Sequence, residues 1–145
     1  MDKHICRAKR IDNGEWVLGY YVECTYYLDD TVFHMILPTD VTLYPRCEFT
    51  ELYNVNPDTV CRYIGAYDKN GTPIFEGDII DASTQWWDAA GPAGHDSPII
   101  LVEWNDDICG FDPFANYDCD CGVYIEAEGC VVIGNKFDNT NLMEG

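Results

Sequence analysis

The chain has 145 residues, 47% hydrophobic and 14% aromatic, enough apolar surface for one domain or two small lobes and too much for a disordered chain. Its 26 acidic residues face only 8 basic ones, and the resulting formal charge of −18 repels a phosphate backbone, which disfavours direct nucleic-acid binding. No apolar run approaches the length of a membrane-spanning helix and the opening MDKHICRAKRID is too charged for a secretory leader, so a cytoplasmic protein is expected.

In chain order, Asn13-Gly14 lies between Arg10-Ile11-Asp12 and Trp16-Val17-Leu18, which predicts a hairpin joining a first short strand to a second. Residues 16–28 (WVLGYYVECTYYL) are rich in β-branched and aromatic side chains, Asp29-Asp30 supplies a turn, and residues 31–37 return as a partner strand. The first part therefore reads as a β meander. Residues 38–57 contain Pro38, Pro45 and Pro57 without periodicity and read as an irregular connection. Asn56-Pro57-Asp58 then signals a turn or helix start, followed by a strand over residues 59–66.

Asp68-Lys69-Asn70-Gly71 is a second hairpin signal, since Asn-Gly tolerates the positive φ angles of tight turns. Short strands are expected at residues 74–82, 99–104, 109–114, 122–126 and 130–136, with one terminal helical turn at 139–144. Residues 83–98 (STQWWDAAGPAGHDSP) are too polar and too broken by Gly91, Pro92 and Gly94 for either regular structure. Many short strands with Gly, Pro and Asn between them predict an all-β, barrel-like fold, with lobes at residues 1–54 and 55–145 inside one domain.

Three blocks occurring in order carry a family resemblance. They are CRAKRIDNGEWVLGYY at residues 6–21, VNPDTVCRYIGAYDKNGTPIFEGDII at residues 55–80, and residues 130–143 with their VVIGNKFDNTNLM. Together they resemble the YopX-like family of phage and prophage proteins. The resemblance implies a phage-associated, predominantly β protein whose second half is a small SH3-like barrel, and it brings no established activity. Within it, Gly65, Gly71, Gly77 and Gly134 are expected at turns or bulges.

Eight cysteines are many for a cytoplasmic chain, where disulfides are disfavoured. Free thiols packed as small apolar residues are the default, and the competing idea is a zinc site from Cys109, Cys119, Cys121 and Cys130. Only one C-x-C is present, against the paired knuckles that structural zinc usually shows. Asp118-Cys119-Asp120-Cys121 lacks the regular oxygen spacing of a calcium loop. No cofactor is expected.

Catalytic motifs are missing from the sequence: Ser83 and Ser97 lie outside any nucleophile elbow, His4, His34 and His95 are scattered, and there is no phosphate-binding glycine loop. A non-enzymatic role is the expectation. Binding features are stronger, because adjacent Trp86 and Trp87 in a Gly/Pro-containing loop resemble interface anchors. Their competing reading is that the rings pack back onto the fold. The acidic-aromatic run from Trp104 through Asp106 and Asp107 to Asp112, Tyr117, Asp118 and Asp120 adds a negative rim.

The leading expectation is an accessory protein that binds a host or phage protein through its acidic surface and loop 83–98, with Trp86, Trp87, Asp88, Asp106 and Asp107 at the contact. A nucleic-acid enzyme whose cleft accepts an acidic decoy is one such partner; a merely solvating acidic surface is the bland alternative. A small-ligand binder with a Tyr- and Trp-lined pocket between the lobes, and a structural homo-oligomer paired through β edges, are the other two classes.

Overall fold

The computed structural model describes residues 2–38, 52–85, 97–114 and 125–143. The chain is mainly β and divides into two compact units, Met1–Tyr63 and Ile64–Gly145. Among the described residues no helix is long and apolar enough to cross a membrane.

The first unit is built on β1 (Cys6–Lys9), β2 (Trp16–Thr25), β3 (Val32–Pro38) and β4 (Tyr53–Asn54). Each is antiparallel to its predecessor, which gives the expected meander, and β5 (Cys61–Tyr67) adds to the free side of β1. The hairpin at Asn13-Gly14 forms, but its first strand lies earlier than the sequence suggests. Arg10 N–H donates to Glu15 O at 2.9 Å and Gly14 N–H to Arg10 O at 3.0 Å, so residues 10–15 make the connection.

The β2–β3 hairpin is the longest among the described residues, pairing Gly19 with Pro38 at its base and Thr25 with Val32 at its tip. Gly19 is required by close approach: a Cβ built there would lie 1.9 Å from the Leu37 carbonyl oxygen. Alternation along the strands directs Ala8, Ile36 and Val55 into a core, with Cys6, Val17, Tyr21 and Val60 packed against it. Asn56 caps a 3-10 turn, Pro57–Thr59, by accepting the Asp58 N–H, as its position before Pro57 predicts. The Thr59 hydroxyl then accepts the Lys9 N–H at 2.9 Å and donates to Asn56 O, tying that turn to β1.

The second unit contains β6 (Pro73–Phe75), β7 (Asp78–Asp81), β8 (Ile99–Leu101), β9 (Glu103–Asn105), β10 (Gly110–Asp112) and β11 (Val131–Asn135). The single strand expected over residues 74–82 is divided by Glu76-Gly77, because the buried Asp78 carboxylate accepts the Phe75 N–H at 2.8 Å and turns the chain. The strand expected over 99–104 is likewise two, broken at Val102, and the stretch around 109–114 keeps only β10. β7 is the centre of a β11-β7-β8 sheet, and its consecutive Ile79 and Ile80 are both buried, as a strand covered on both faces requires. Ile74, Ile80, Ala82, Ile100, Val102, Ile125 and Cys130 form this unit's core.

The SH3-like barrel expected for the second half is not closed among the described residues: β11-β7-β8 and β10-β9 are separate sheets. The strands described there are three to five residues long. Residues 125–126 are not in a strand, and the rest of the strand expected at 122–126 lies outside the described residues. Gly71 and Gly77 have φ of +81° and +88°, which an L side chain rarely adopts, and Gly134 follows a register shift in the β11–β7 ladder. Gly65 has positive φ within β5. The terminal helical turn is a 3-10 turn, Thr140–Met143.

Candidate functional site

Charge is divided unequally along the chain. Residues 64–145 hold sixteen Asp and Glu against two cations, Lys69 and Lys136, while the preceding residues hold ten against six. Cations of the first unit also rest on aromatic faces: Arg7 and Lys9 lie 4.7 and 5.3 Å from the Trp16 ring, and Arg10 lies 4.3 Å from Tyr53.

Asp106 and Asp107 are exposed in the turn of the β9–β10 hairpin. The Trp104 indole N–H donates to Asp106 Oδ1 at 2.6 Å, and its ring meets Phe111 edge-on at 5.1 Å. Asn105 Oδ1 accepts the Asp107 N–H at 2.9 Å, and Cys109 completes the turn with φ of +50°. The local sequence explains this geometry, since Asn and Asp side chains close such turns on their own backbone. Two carboxylates and an indole are thereby held on one ordered tip.

Trp86, Trp87 and Asp88 lie outside the described residues, so only two of the five predicted contact residues are located. The start of their loop is firmly held. Gln85 Nε2 donates to Glu126 O at 2.8 Å, Gln85 Oε1 accepts the Glu126 N–H at 2.8 Å, and the Thr84 hydroxyl donates to Gly129 O at 2.8 Å. Nothing in the spacing of Gln85 and Glu126 announces this clamp.

Of the four cysteines weighed for zinc, Cys119 and Cys121 lie outside the described residues, as does Asp118-Cys119-Asp120-Cys121. Cys109 is exposed, whereas Cys130 is buried, donates to Glu126 O at 3.4 Å and accepts from Gln85 Nε2 at 3.3 Å. Burial, together with the charges of Asp81 and Asp68, pushes the Cys130 thiol up to about 11 against the opposing Gln85 hydrogen bond. Among the described residues no group of three or more His, Cys, Asp or Glu is arranged to hold a metal.

Tyr21 and His34 are stacked across β2 and β3, with the Tyr21 hydroxyl 2.5 Å from His34 Nδ1. Burial, with the nearby charge of Glu23 and Cys6, raises the Tyr21 pKa, so the phenol stays protonated. The pair satisfies polar groups beside the first core and joins two strands.

Sequence reasoning missed the tip of the β2–β3 hairpin. β2 ends at Thr25 rather than at residue 28, and Tyr26, Tyr27 and Leu28 are exposed by 45, 82 and 67% in the turn. The signal was available: three consecutive large apolar residues directly precede Asp29-Asp30, where a turn must lie.

None of the curated proteins matches the chain. A family model described as YopX protein matches residues 20–144, which takes in the second and third blocks of the resemblance and leaves most of the first before it. The chain therefore belongs to the YopX protein family.

Proposed function

We propose that the protein is a non-enzymatic binding module that engages a basic partner protein through the acidic surface of its second unit. The observation that carries this reading is the sixteen-to-two excess of carboxylates in residues 64–145, with Asp106 and Asp107 displayed beside Trp104 on an ordered turn. Such a field steers a positively charged protein surface and turns away nucleic acid and anionic lipid. A nucleic-acid enzyme of a phage or of its bacterial host, acting in the cytoplasm, is the partner type with the right charge. Trp86 and Trp87, in the sequence segment 83–98, would add apolar anchors.

The test is capture of partners by the tagged full-length protein at low and high salt, read by mass spectrometry. A basic protein held at low salt, released at high salt and held less by Asp106→Asn/Asp107→Asn supports the reading. Capture that ignores both salt and the double substitution overturns it. Trp86→Ala/Trp87→Ala should weaken capture while leaving Tm nearly unchanged.

A further inference from the structure

We propose that the tip of the β2–β3 hairpin is a second docking surface, in the first unit, for a basic peptide segment carrying an aromatic or branched apolar side chain. A pocket of about 300 Å³ opens beside the tip, lined by Cys24, Thr25, Tyr26 and Phe33 and almost wholly apolar. The Tyr26 ring borders it and lies 5.5 Å from the ring of Tyr27, so pocket and tip form one surface continuing to Leu28. Four large apolar residues here, with Phe33 exposed by 38%, are displayed to solvent at a cost that a purely structural turn has no need to bear.

The turn itself is ordered. Tyr26 N–H donates to Thr31 O at 2.7 Å, Asp30 N–H to Tyr26 O at 2.9 Å, and Thr31 N–H to the Asp29 carboxylate at 3.0 Å. Hydrogen bonds to the Asp29 carboxylate from the Thr31 side chain and the Thr31 backbone N–H favour its ionised form and lower its pKa. Rigid aromatic residues on a preorganised turn bind with little further loss of conformational entropy.

Charge selects the occupant. Asp29 and Asp30 lie within the tip, Glu23 stands near the end of β2, and the chain has no Lys or Arg between Arg10 and Arg46. A second copy would bring the same carboxylates face to face, and an anionic lipid surface would be repelled. A segment pairing Lys or Arg with an apolar side chain satisfies both halves of the surface.

The experiment is selection of a display library of random linear peptides against the full-length protein, followed by affinity measurement on the resynthesised best binder. Enriched sequences should join Lys or Arg to an aromatic or branched apolar residue. Tyr27→Ser/Leu28→Ser should weaken that peptide by about tenfold or more, the loss of one to two anchor side chains. Asp29→Asn/Asp30→Asn should flatten its salt dependence, since the amide oxygen introduced in place of the Asp29 carboxylate can still accept the Thr31 N–H. Asp106→Asn/Asp107→Asn should bind it as the native chain does, which separates this surface from the acidic hairpin of the second unit. Binders without basic residues, undiminished affinity in Tyr27→Ser/Leu28→Ser, or a dimer dispersed by that variant would each overturn the proposal. Both substituted residues are exposed, so an unchanged Tm distinguishes lost binding from lost folding.

Discussion

The Asp68 carboxylate accepts the Val132 backbone N–H at 2.9 Å, so a hairpin turn is fastened to β11 across most of the second unit's sequence. Its other oxygen accepts the N–H groups of Asn70 and Thr72, both at 2.8 Å, inside the turn. Asp68 is 5% exposed, and three backbone N–H groups depend on its carboxylate, those of exposed Asn70 and Thr72 and of half-buried Val132.

Replacing Asp68 with Ala removes the acceptor of all three N–H groups, of which water can satisfy those at exposed Asn70 and Thr72, and should cost about 1–3 kcal/mol in unfolding free energy, measured by urea denaturation. Asp68→Asn should be intermediate, since its amide nitrogen cannot accept from Val132 if the oxygen stays in the turn.

Acid should expose the same interaction. Burial alone would raise the Asp68 pKa, but the hydrogen bonds from Val132, Thr72 and Asn70 outweigh it and lower the value. A depressed folded pKa contributes stability that is complete above the unfolded value of about 3.9 and disappears as pH falls through the folded one. Acid also relieves the self-repulsion of a −18 chain, so the useful quantity is the stability difference between native protein and Asp68→Asn. That difference should shrink between about pH 5 and pH 2; a difference flat across that range would contradict the assignment.

Gly19 and Gly134 both face crowded surroundings, with different consequences. The Cβ at Gly19 would strike the Leu37 backbone, whereas at Gly134 it would meet side-chain atoms, Asn139 Oδ1 at 2.6 Å and Leu142 Cδ1 at 2.8 Å. Gly19→Ala should therefore cost roughly 3 kcal/mol or more, and Gly134→Ala about 1–2, because Asn139 must give up its 3.1 Å bond from the Asn135 N–H. Thermal denaturation of the two variants orders them.

Thiol labelling should separate exposed Cys109 from buried Cys130. At pH 8, Cys109 should alkylate readily, while Cys130, with its raised pKa and its place in the core, should react only when denaturant opens the second unit. Peptide mass spectrometry assigns each site. Rapid labelling of Cys130 in the native protein would mean that the Gln85–Glu126 clamp opens easily.

Local turn chemistry made much of the β architecture legible. Asn13-Gly14, Asn56-Pro57 and Asn70-Gly71 each marked a real change of chain direction, because the preference lies in the residues themselves. Strand ends were less legible. Tyr26 and Tyr27 have strong β preference, yet a turn closed by Tyr26 and Thr31 overrides it. Asp68–Val132 and Gln85–Glu126 were invisible, since each joins residues that only the folded chain brings together. Of the predicted contact residues, Asp106 and Asp107 could be read as exposed because Asn and Asp cluster where hairpins turn.

The uneven distribution of cations also decides how the protein meets proteases. Trypsin needs Lys or Arg, and the second unit offers it only Lys69 and Lys136. At Lys69 the backbone N–H is engaged with Cys130 O at 2.8 Å, next to the Asp68-bound turn, so the cleavable segment is held away from an extended, protease-ready form. Tryptic digestion of the native chain should fall on the first unit, and sequencing the acidic half calls for an enzyme that cuts after aspartate or glutamate.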